Sequence, residues 1–166
     1  MTPKDIDPSL SVVVPAPFGA LGVSSDDLVI RSIVFLPPGT PALAPRSALA
    51  EEARRQILAY LADPYCRFTL PLGISGSAFQ RRVWAEIARI PAGELQRYGD
   101  LARRLGSAAR AVGQACGANP YPLVVPCHRV VSASGLGGFA NSTGGFLLDT
   151  KRWLLAHEAA PLPLLP

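Results

Sequence analysis

At 166 residues the chain is long enough for one ordinary domain, or for a small N-terminal domain followed by a compact second one. A composition 49% hydrophobic and 17% charged supplies a core and excludes global disorder; the apolar runs, broken by Pro, Gly or charge, exclude a membrane span of about 18 or more apolar residues. The net charge of +4 is unevenly placed: the first 75 residues hold 6 basic and 7 acidic side chains, whereas residues 76–158 hold 10 and 5, nine of those ten basic residues being Arg. Arg suits phosphate and stacking contacts, so the second half fits a polyanion partner as well as it fits a merely solvated basic face.

Residues 1–17, with Pro3, Pro8, Pro15 and Pro17, read as a mobile or extended lead-in. The runs 18–24 and 28–36 flank the turn formers of 24–27 and predict a β-hairpin. A Pro-rich connector, 37–45, leads to a predicted helix over 47–63, with Leu49, Ala53, Ile57, Leu58 and Leu61 at helical spacing and Glu51 and Glu52 near its start. A second connector, 63–76, carries the expected domain boundary. Ser77 and Gln80 form a capping-box pattern for a helix whose face is Phe79, Val83, Trp84, Ile87 and Ile90, stopped by Pro91 and Gly93. Residues 98–120 divide into two short helices around Gly106 and Ser107, a helix-turn-helix pattern. A β-rich run, 123–131, is interrupted by Pro126; a Gly/Ser loop covers 132–145; a last amphipathic helix is expected over 149–159. These elements make a small sheet plus helix over 18–72, then a mainly α domain over 76–159, with a Pro-rich tail at 160–166. The first ten residues lack a signal-peptide layout, so cytoplasm, or nucleus in a eukaryote, is the expected compartment.

Three cysteines, Cys66, Cys116 and Cys127, without a CxxC spacing make a disulfide framework an unlikely design, and the two histidines, His128 and His157, give no zinc-site spacing. No metal or cofactor is expected. The chemistry concentrates in Pro126-Cys127-His128-Arg129. A thiol is a nucleophile as its thiolate, and a neighbouring His can remove the proton or stabilise the anion. Pro126 cannot donate to a sheet ladder, so a strand should break there and present Cys127 at an edge. Adjacent side chains of a regular strand face opposite ways, so the pair works only if the backbone turns at Cys127 or a water bridges it. Alone, this dipeptide is weak evidence and reads more readily as a buried Cys beside a core His.

Six motifs spaced in order over residues 76–158 go further. They are Phe79-Gln80-x-x-Val83-Trp84, Ile90-Pro91-x-Gly93-Glu94, Tyr98-Gly99-Asp100-Leu101-Ala102, Arg110-Ala111-Val112-Gly113 through Asn119-Pro120, Pro126-Cys127-His128-Arg129-Val130, and Lys151-Arg152-Trp153-Leu154-Leu155 with Glu158. Together they resemble the O6-alkylguanine-DNA alkyltransferase (methylated-DNA–protein-cysteine methyltransferase) family; residues 18–63 resemble its N-terminal domain in type alone. The resemblance implies an α/β N-terminal domain followed by a mainly α, winged-helix-like DNA-binding and catalytic domain. The resemblance implies direct, irreversible, single-turnover transfer of an alkyl group from O6-alkylguanine, and also O4-alkylthymine, in double-stranded DNA to Cys127, by a monomer that binds the minor groove and flips the base. It implies that His128 activates Cys127 through water and that Glu158 fixes the His128 tautomer. Tyr98 would crowd the phosphate and donate toward the leaving guanine, and Arg110 would fill the gap left by the flipped base. Asn119 would be a hinge, Val130 would line the pocket, and Arg129 and Pro126 would shape it.

The helix carrying Arg110 is rich in small residues, including Ala109, Ala111 and Gly113, which suits close seating in a minor groove with little base reading. Arg97, Arg103 and Arg104 are unassigned candidates for phosphate contacts. Cys116 and Trp153 read as packing. The linker from Gly106 to Arg110 is shorter than in some relatives, and the loop 138–151 is longer than in many; Ala140 to Gly144 are its candidates for contacting guanine O6. A non-catalytic damage binder would lack the acceptor Cys, a transcriptional helix-turn-helix would carry more base-reading side chains, and a Cys–His hydrolase would need an oxyanion hole.

Overall fold

The structure is a computed structural model that describes residues 6–139 and 144–159. The loop positions 140–143 and the tail 160–166 singled out above lie outside the described residues. The chain divides into two compact units, Met1–Ile74 and Ser75–Pro166.

In the first unit, β1 (Val12–Ala16), β2 (Gly19–Ser25) and β3 (Ile30–Leu36) form an antiparallel sheet in sequence order. The hairpin of β2 and β3 is as expected. Its turn is built by Asp26, whose Oδ1 accepts from the backbone N–H of Leu28 at 2.8 Å and of Val29 at 2.9 Å. The expectation of a lead-in over 1–17 needs correction, because β1 pairs Val12 with Val23 and Ala16 with Gly19. Val12, Val13 and Val14 are buried, and this β-branched run outweighs the flanking prolines. Gly19 makes the tight return possible: its φ is +143°, and a Cβ there would lie 2.2 Å from the Leu36 carbonyl oxygen.

Helix α1 (Ala48–Ala62), capped by the Ser47 side chain, packs on β1 and β2. Its buried face is Ala50, Ala53, Gln56, Ile57 and Tyr60, rotated from the expected one, and Leu58 is 39% exposed. Gln56 is inside because it is satisfied there: its side chain donates to Thr69 Oγ1 at 2.9 Å and accepts from the Thr69 N–H at 2.8 Å. The 63–76 stretch is thereby more than a connector. The N–H of Ile30 donates to the Pro71 carbonyl at 2.8 Å and that of Gly73 to the Ile30 carbonyl at 2.9 Å, binding this stretch to the edge of β3.

The second unit is mainly helical. Helix α2 (Ala78–Ile87) opens with the expected capping box, both Ser77 and Gln80 bonds being present. It ends before Ile90, which is buried nonetheless. Trp84 fixes α2 to the next motif by donating from Nε1 to the Ala115 carbonyl at 2.8 Å. That motif is the expected helix-turn-helix: α3 (Tyr98–Leu105) ends at Gly106 in the left-handed conformation, and α4 (Ala109–Gly117) follows. Two strands too short to read in sequence, β4 (Gln96–Arg97) and β5 (Val130–Val131), pair in parallel.

Helix α5 (Gly145–His157) starts four residues earlier than expected, so Gly145 to Leu148 belong to it and the Gly/Ser loop is shorter. Leu148 packs on Val131, Leu136 and Leu155, an apolar contact that extends the helix backwards. Trp153, expected in the core, is half-buried and stacks on His157 with ring centroids 4.7 Å apart. No helix of the described residues is long and apolar enough to cross a membrane.

Candidate active site

The β4–β5 ladder assembles the site. Tyr98 begins α3 immediately after β4, and Cys127-His128-Arg129 immediately precede β5, so pairing Gln96 with Val130 brings distant parts of the chain side by side. Pro126 breaks the extended run as expected. With φ −81° and ψ 65° it forms an inverse γ-turn, the Cys127 N–H donating to the Val125 carbonyl at 2.8 Å. Residues 127–129 then make one 3-10 turn, closed by the Arg129 N–H on the Pro126 carbonyl at 2.9 Å. The backbone thus turns at Cys127, where a strand would have sent Cys127 and His128 to opposite faces. Cys127 is buried rather than presented at an open edge.

His128 is fully buried, and its Nε2 lies 2.8 Å from Glu158 Oε2. Glu158, also fully buried at the end of α5, receives Arg129 as a fork: Nε on Oε1 at 2.8 Å and a terminal nitrogen on Oε2 at 2.9 Å. Arg129 further donates to the Ile90 carbonyl at 2.6 Å. One carboxylate therefore serves a permanent cation and an imidazole. Burial holds His128 below its ordinary pKa against the opposing pull of Glu158, so the resting ring is neutral. With Nε2–H directed at Glu158, Nδ1 keeps its lone pair; it is buried and without a hydrogen-bond partner among the described residues.

Asn119 joins the end of the helix-turn-helix to the cysteine turn. Its Nδ2 donates to the Val125 carbonyl at 2.9 Å and to Cys127 Sγ at 3.2 Å, and its Oδ1 accepts from the Tyr121 N–H at 2.9 Å. The neighbouring Cys116 thiol and burial push the Cys127 thiol up, while the Asn119 amide and the Lys151 charge draw it back. At rest Cys127 is thus a thiol, which would need a base before it could act as a nucleophile.

Lys151 and Cys116 are the site members that sequence reasoning left without a role. Lys151 is fully buried, and Nζ donates to the carbonyls of Val130 at 2.8 Å, Leu136 at 2.7 Å and Gly138 at 2.9 Å. Burial lowers its pKa to about 8, opposed by the nearby thiols. A signal for it existed in its being the one Lys among ten basic residues of 76–158. Tyr98 is held close by: Lys151 Nζ lies 5.9 Å from its ring centroid, and its hydroxyl donates over 3.4 Å to the Gly138 carbonyl. Burial and the two thiols raise the Tyr98 pKa, so the phenol keeps its proton. Gly137, at φ +73°, passes so near that a Cβ would lie 3.1 Å from this ring.

Val130 is fully buried, and its carbonyl is already engaged by Lys151. Arg110 stands apart from the buried network. It is exposed in the first turn of α4 beside exposed Ala109, with no ion pair or side-chain hydrogen bond among the described residues. Ala111 and Gly113 are half-buried on the same helix, and a Cβ at Gly113 would meet nothing within 4 Å. Of the other arginines, Arg103 pairs with Asp100 and Arg104 with Glu86 at 3.6 Å. No group of three or more His, Cys, Asp or Glu side chains among the described residues is gathered as a metal would require.

A buried thiol, imidazole and carboxylate lie beside a helix-turn-helix, a motif class that commonly binds DNA. Residues 78–160 match the family described as 6-O-methylguanine DNA methyltransferase, DNA binding domain. The chain is 40% identical over 157 residues to the methylated-DNA–protein-cysteine methyltransferase of Mycolicibacterium paratuberculosis, covering 90% of this chain and 92% of that one. It is 34% identical to the protein of the same description from Methanosarcina acetivorans, covering 89% and 97%. Among solved structures it resembles Mycobacterium tuberculosis OGT in complex with DNA, with a TM-score of 0.73, 34% identity, and coverage of 90% and 93%. The chain belongs to the methylated-DNA–protein-cysteine methyltransferase family.

Proposed function

We propose that this protein repairs DNA by moving the alkyl group of O6-alkylguanine, and of O4-alkylthymine, irreversibly onto its own Cys127, one group per molecule. The observation that carries the reading is Cys127 Sγ held at 3.2 Å by Asn119 in the turn whose next residue, His128, is backed by Glu158 at 2.8 Å. The thiol proton passes to His128 Nδ1 through a water, and Glu158 stabilises the imidazolium. The thiolate attacks the alkyl carbon; the S–C bond forms, the C–O6 bond breaks, and its electron pair enters the purine. Tyr98, protonated at neutral pH, donates a hydrogen bond to the anion that develops, and the guanine takes up the proton given off by Cys127. A thioether cannot be cleaved by this set of groups, so the protein is spent after one transfer.

The small-residue face of α4 supports minor-groove seating with little sequence preference, as damage scattered over all sequences requires. Arg110, exposed at its start and without a side-chain partner among the described residues, suits the space left by an extruded nucleotide, since O6 is out of reach within the paired duplex. The protein works as a monomer without metal or cofactor. The test is intact-protein mass spectrometry after mixing with a duplex carrying one O6-methylguanine. The expected result is one added methyl in place of the thiol hydrogen, mapped to Cys127, with an equimolar end point. Binding of the duplex with no mass gain would reduce the protein to a damage reader.

A further inference from the structure

The mechanism above uses the Tyr98 hydroxyl and gives no role to the loop that touches its ring. That loop is pinned on both sides of Gly137. Lys151 Nζ donates to the Leu136 carbonyl at 2.7 Å and to the Gly138 carbonyl at 2.9 Å, so both neighbours of Gly137 are held by a charged donor. Just upstream, Ser132 and Gly135 form an antiparallel bridge, and the Ser132 hydroxyl donates to the Gly135 carbonyl at 3.1 Å. Gly137 itself has φ +73°, and a Cβ there would lie 3.1 Å from Tyr98 Cε2, 3.3 Å from the Ser132 nitrogen and 3.5 Å from the Tyr98 hydroxyl oxygen. Tyr98 is the looser partner. It is half-buried at the first position of α3, and its hydroxyl reaches the Gly138 carbonyl over 3.4 Å, longer than an ordinary O–H···O bond. The hydroxyl is thus parked on a carbonyl that keeps Lys151 when the phenol turns to another acceptor.

We infer that Gly137 is a positioning residue of the transfer: by lacking a side chain, it lets the pinned loop hold the Tyr98 hydroxyl where the leaving base meets it. The inference rests on Tyr98 being the donor proposed above. Carbon atoms in contact sit about 3.5–4.0 Å apart, so a methyl at 137 overlaps the ring edge by about 0.4–0.9 Å. Moving the loop breaks two bonds to a buried cation, whereas moving the ring stretches one long bond. The ring yields, and the hydroxyl moves with it. Stabilisation of a developing anion depends on the donor standing in place beforehand, so a shift of this size weakens it. Every L-residue brings the same Cβ, so the requirement is for glycine and not merely for a small residue. The left-handed backbone is a second and separate requirement. It acts on stability, and Asn meets it better than Ala does.

The experiment measures single-turnover transfer from an O6-methylguanine duplex, at saturating protein, for the parent, Gly137→Ala, Tyr98→Phe and the double variant. Gly137→Ala should slow the parent by about tenfold, and the Tyr98→Phe protein by less than about twofold, because phenylalanine has no hydroxyl to misplace. Gly137→Asn carries the same Cβ on a residue that tolerates the left-handed backbone. It should melt higher than Gly137→Ala yet transfer as slowly, and it stands in if the alanine variant fails to fold. A readout free of DNA comes from 3-fluorotyrosine at all 4 tyrosines. The fluorine resonance that Tyr98→Phe removes should shift in Gly137→Ala, while the others stay in place. Equal slowing with and without the Tyr98 hydroxyl overturns the inference, and so does an unmoved Tyr98 resonance. Should that resonance shift while the parent never accepts methyl, the loop does position Tyr98 and the alkyltransfer reading falls.

Discussion

Replacing Lys151 with methionine removes a cation of similar length from the middle of the site. Three carbonyls, those of Val130, Leu136 and Gly138, lose a charged donor. At about 1.5–3 kcal/mol for each such bond the gross loss is about 4.5–9 kcal/mol. Against it stands the cost of burying the ammonium. The fall of its pKa from 10.5 to about 8 corresponds to about 3 kcal/mol, which methionine does not incur. The net loss is about 1–6 kcal/mol, and about 3 kcal/mol at the centre lowers the melting temperature of a domain of this size by about 6–12 °C. Because the folded pKa lies below the unfolded one, this burial cost is fully present below about pH 8 and fades as pH rises toward 10.5, so the melting-temperature gap should widen with pH over that interval. Lys151 also favours the Cys127 thiolate, so transfer at pH 7 should slow by about tenfold and recover in part at higher pH. The assays are thermal melts across pH and single-turnover transfer from an O6-methylguanine duplex. A Lys151→Met protein that melts and transfers like the parent would refute both the clamp and the charge.

Cys127→Ala should abolish transfer while leaving duplex affinity within about twofold, read by gel shift at fixed salt; residual methyl uptake would move the acceptor elsewhere. Arg110→Ala should slow transfer in duplex by about tenfold and in single strands far less, because flipping is easier there; equal losses would remove the space-filling role. Glu158→Gln should lower the His128 pKa further and leave Arg129 without its buried anion, slowing transfer and costing about 2–4 kcal/mol in a denaturant titration. Gly19→Ala should destabilise the first unit by about 2 kcal/mol or more, since the added methyl meets the Leu36 carbonyl oxygen at 2.2 Å at a positive φ.

The elements that sequence revealed were those whose signal is local. The Ser77/Gln80 box, the Gly106 turn between two helices and the Pro126 break each act within a few residues, and each stands where expected. What stayed hidden depends on contacts across the chain. The face of α1 turned because Thr69 satisfies Gln56, and α5 grew backwards because Leu148 meets Val131 and Leu136. The strands that bring Tyr98 to the cysteine turn are two residues long, too short for any alternation to show. Cys127 and His128 were legible by adjacency. Lys151 was not, because a buried lysine acquires meaning only from the carbonyls it meets.

In the proposed transfer both reacting groups, the Cys127 thiol and the His128 ring, rest uncharged, and the arrangement explains why that is useful. In the proposed reaction a standing thiolate would face a polyanionic substrate, and a standing imidazolium, with no free lone pair, could not take the thiol proton. Burial moves the two pKa values apart in the unproductive direction, Cys127 up and His128 down. Charge must then be separated at the moment of reaction, when the groups that stabilise it are already in place. Glu158 is fixed by Arg129 to meet the imidazolium, Asn119 is aimed at the sulfur, and Lys151 supplies a positive field without touching an anion of the protein among the described residues. These supports are oriented by bonds made on folding, so the reaction need not reorganise them; the folded network, rather than an activated resting cysteine, carries the electrostatic work of transfer.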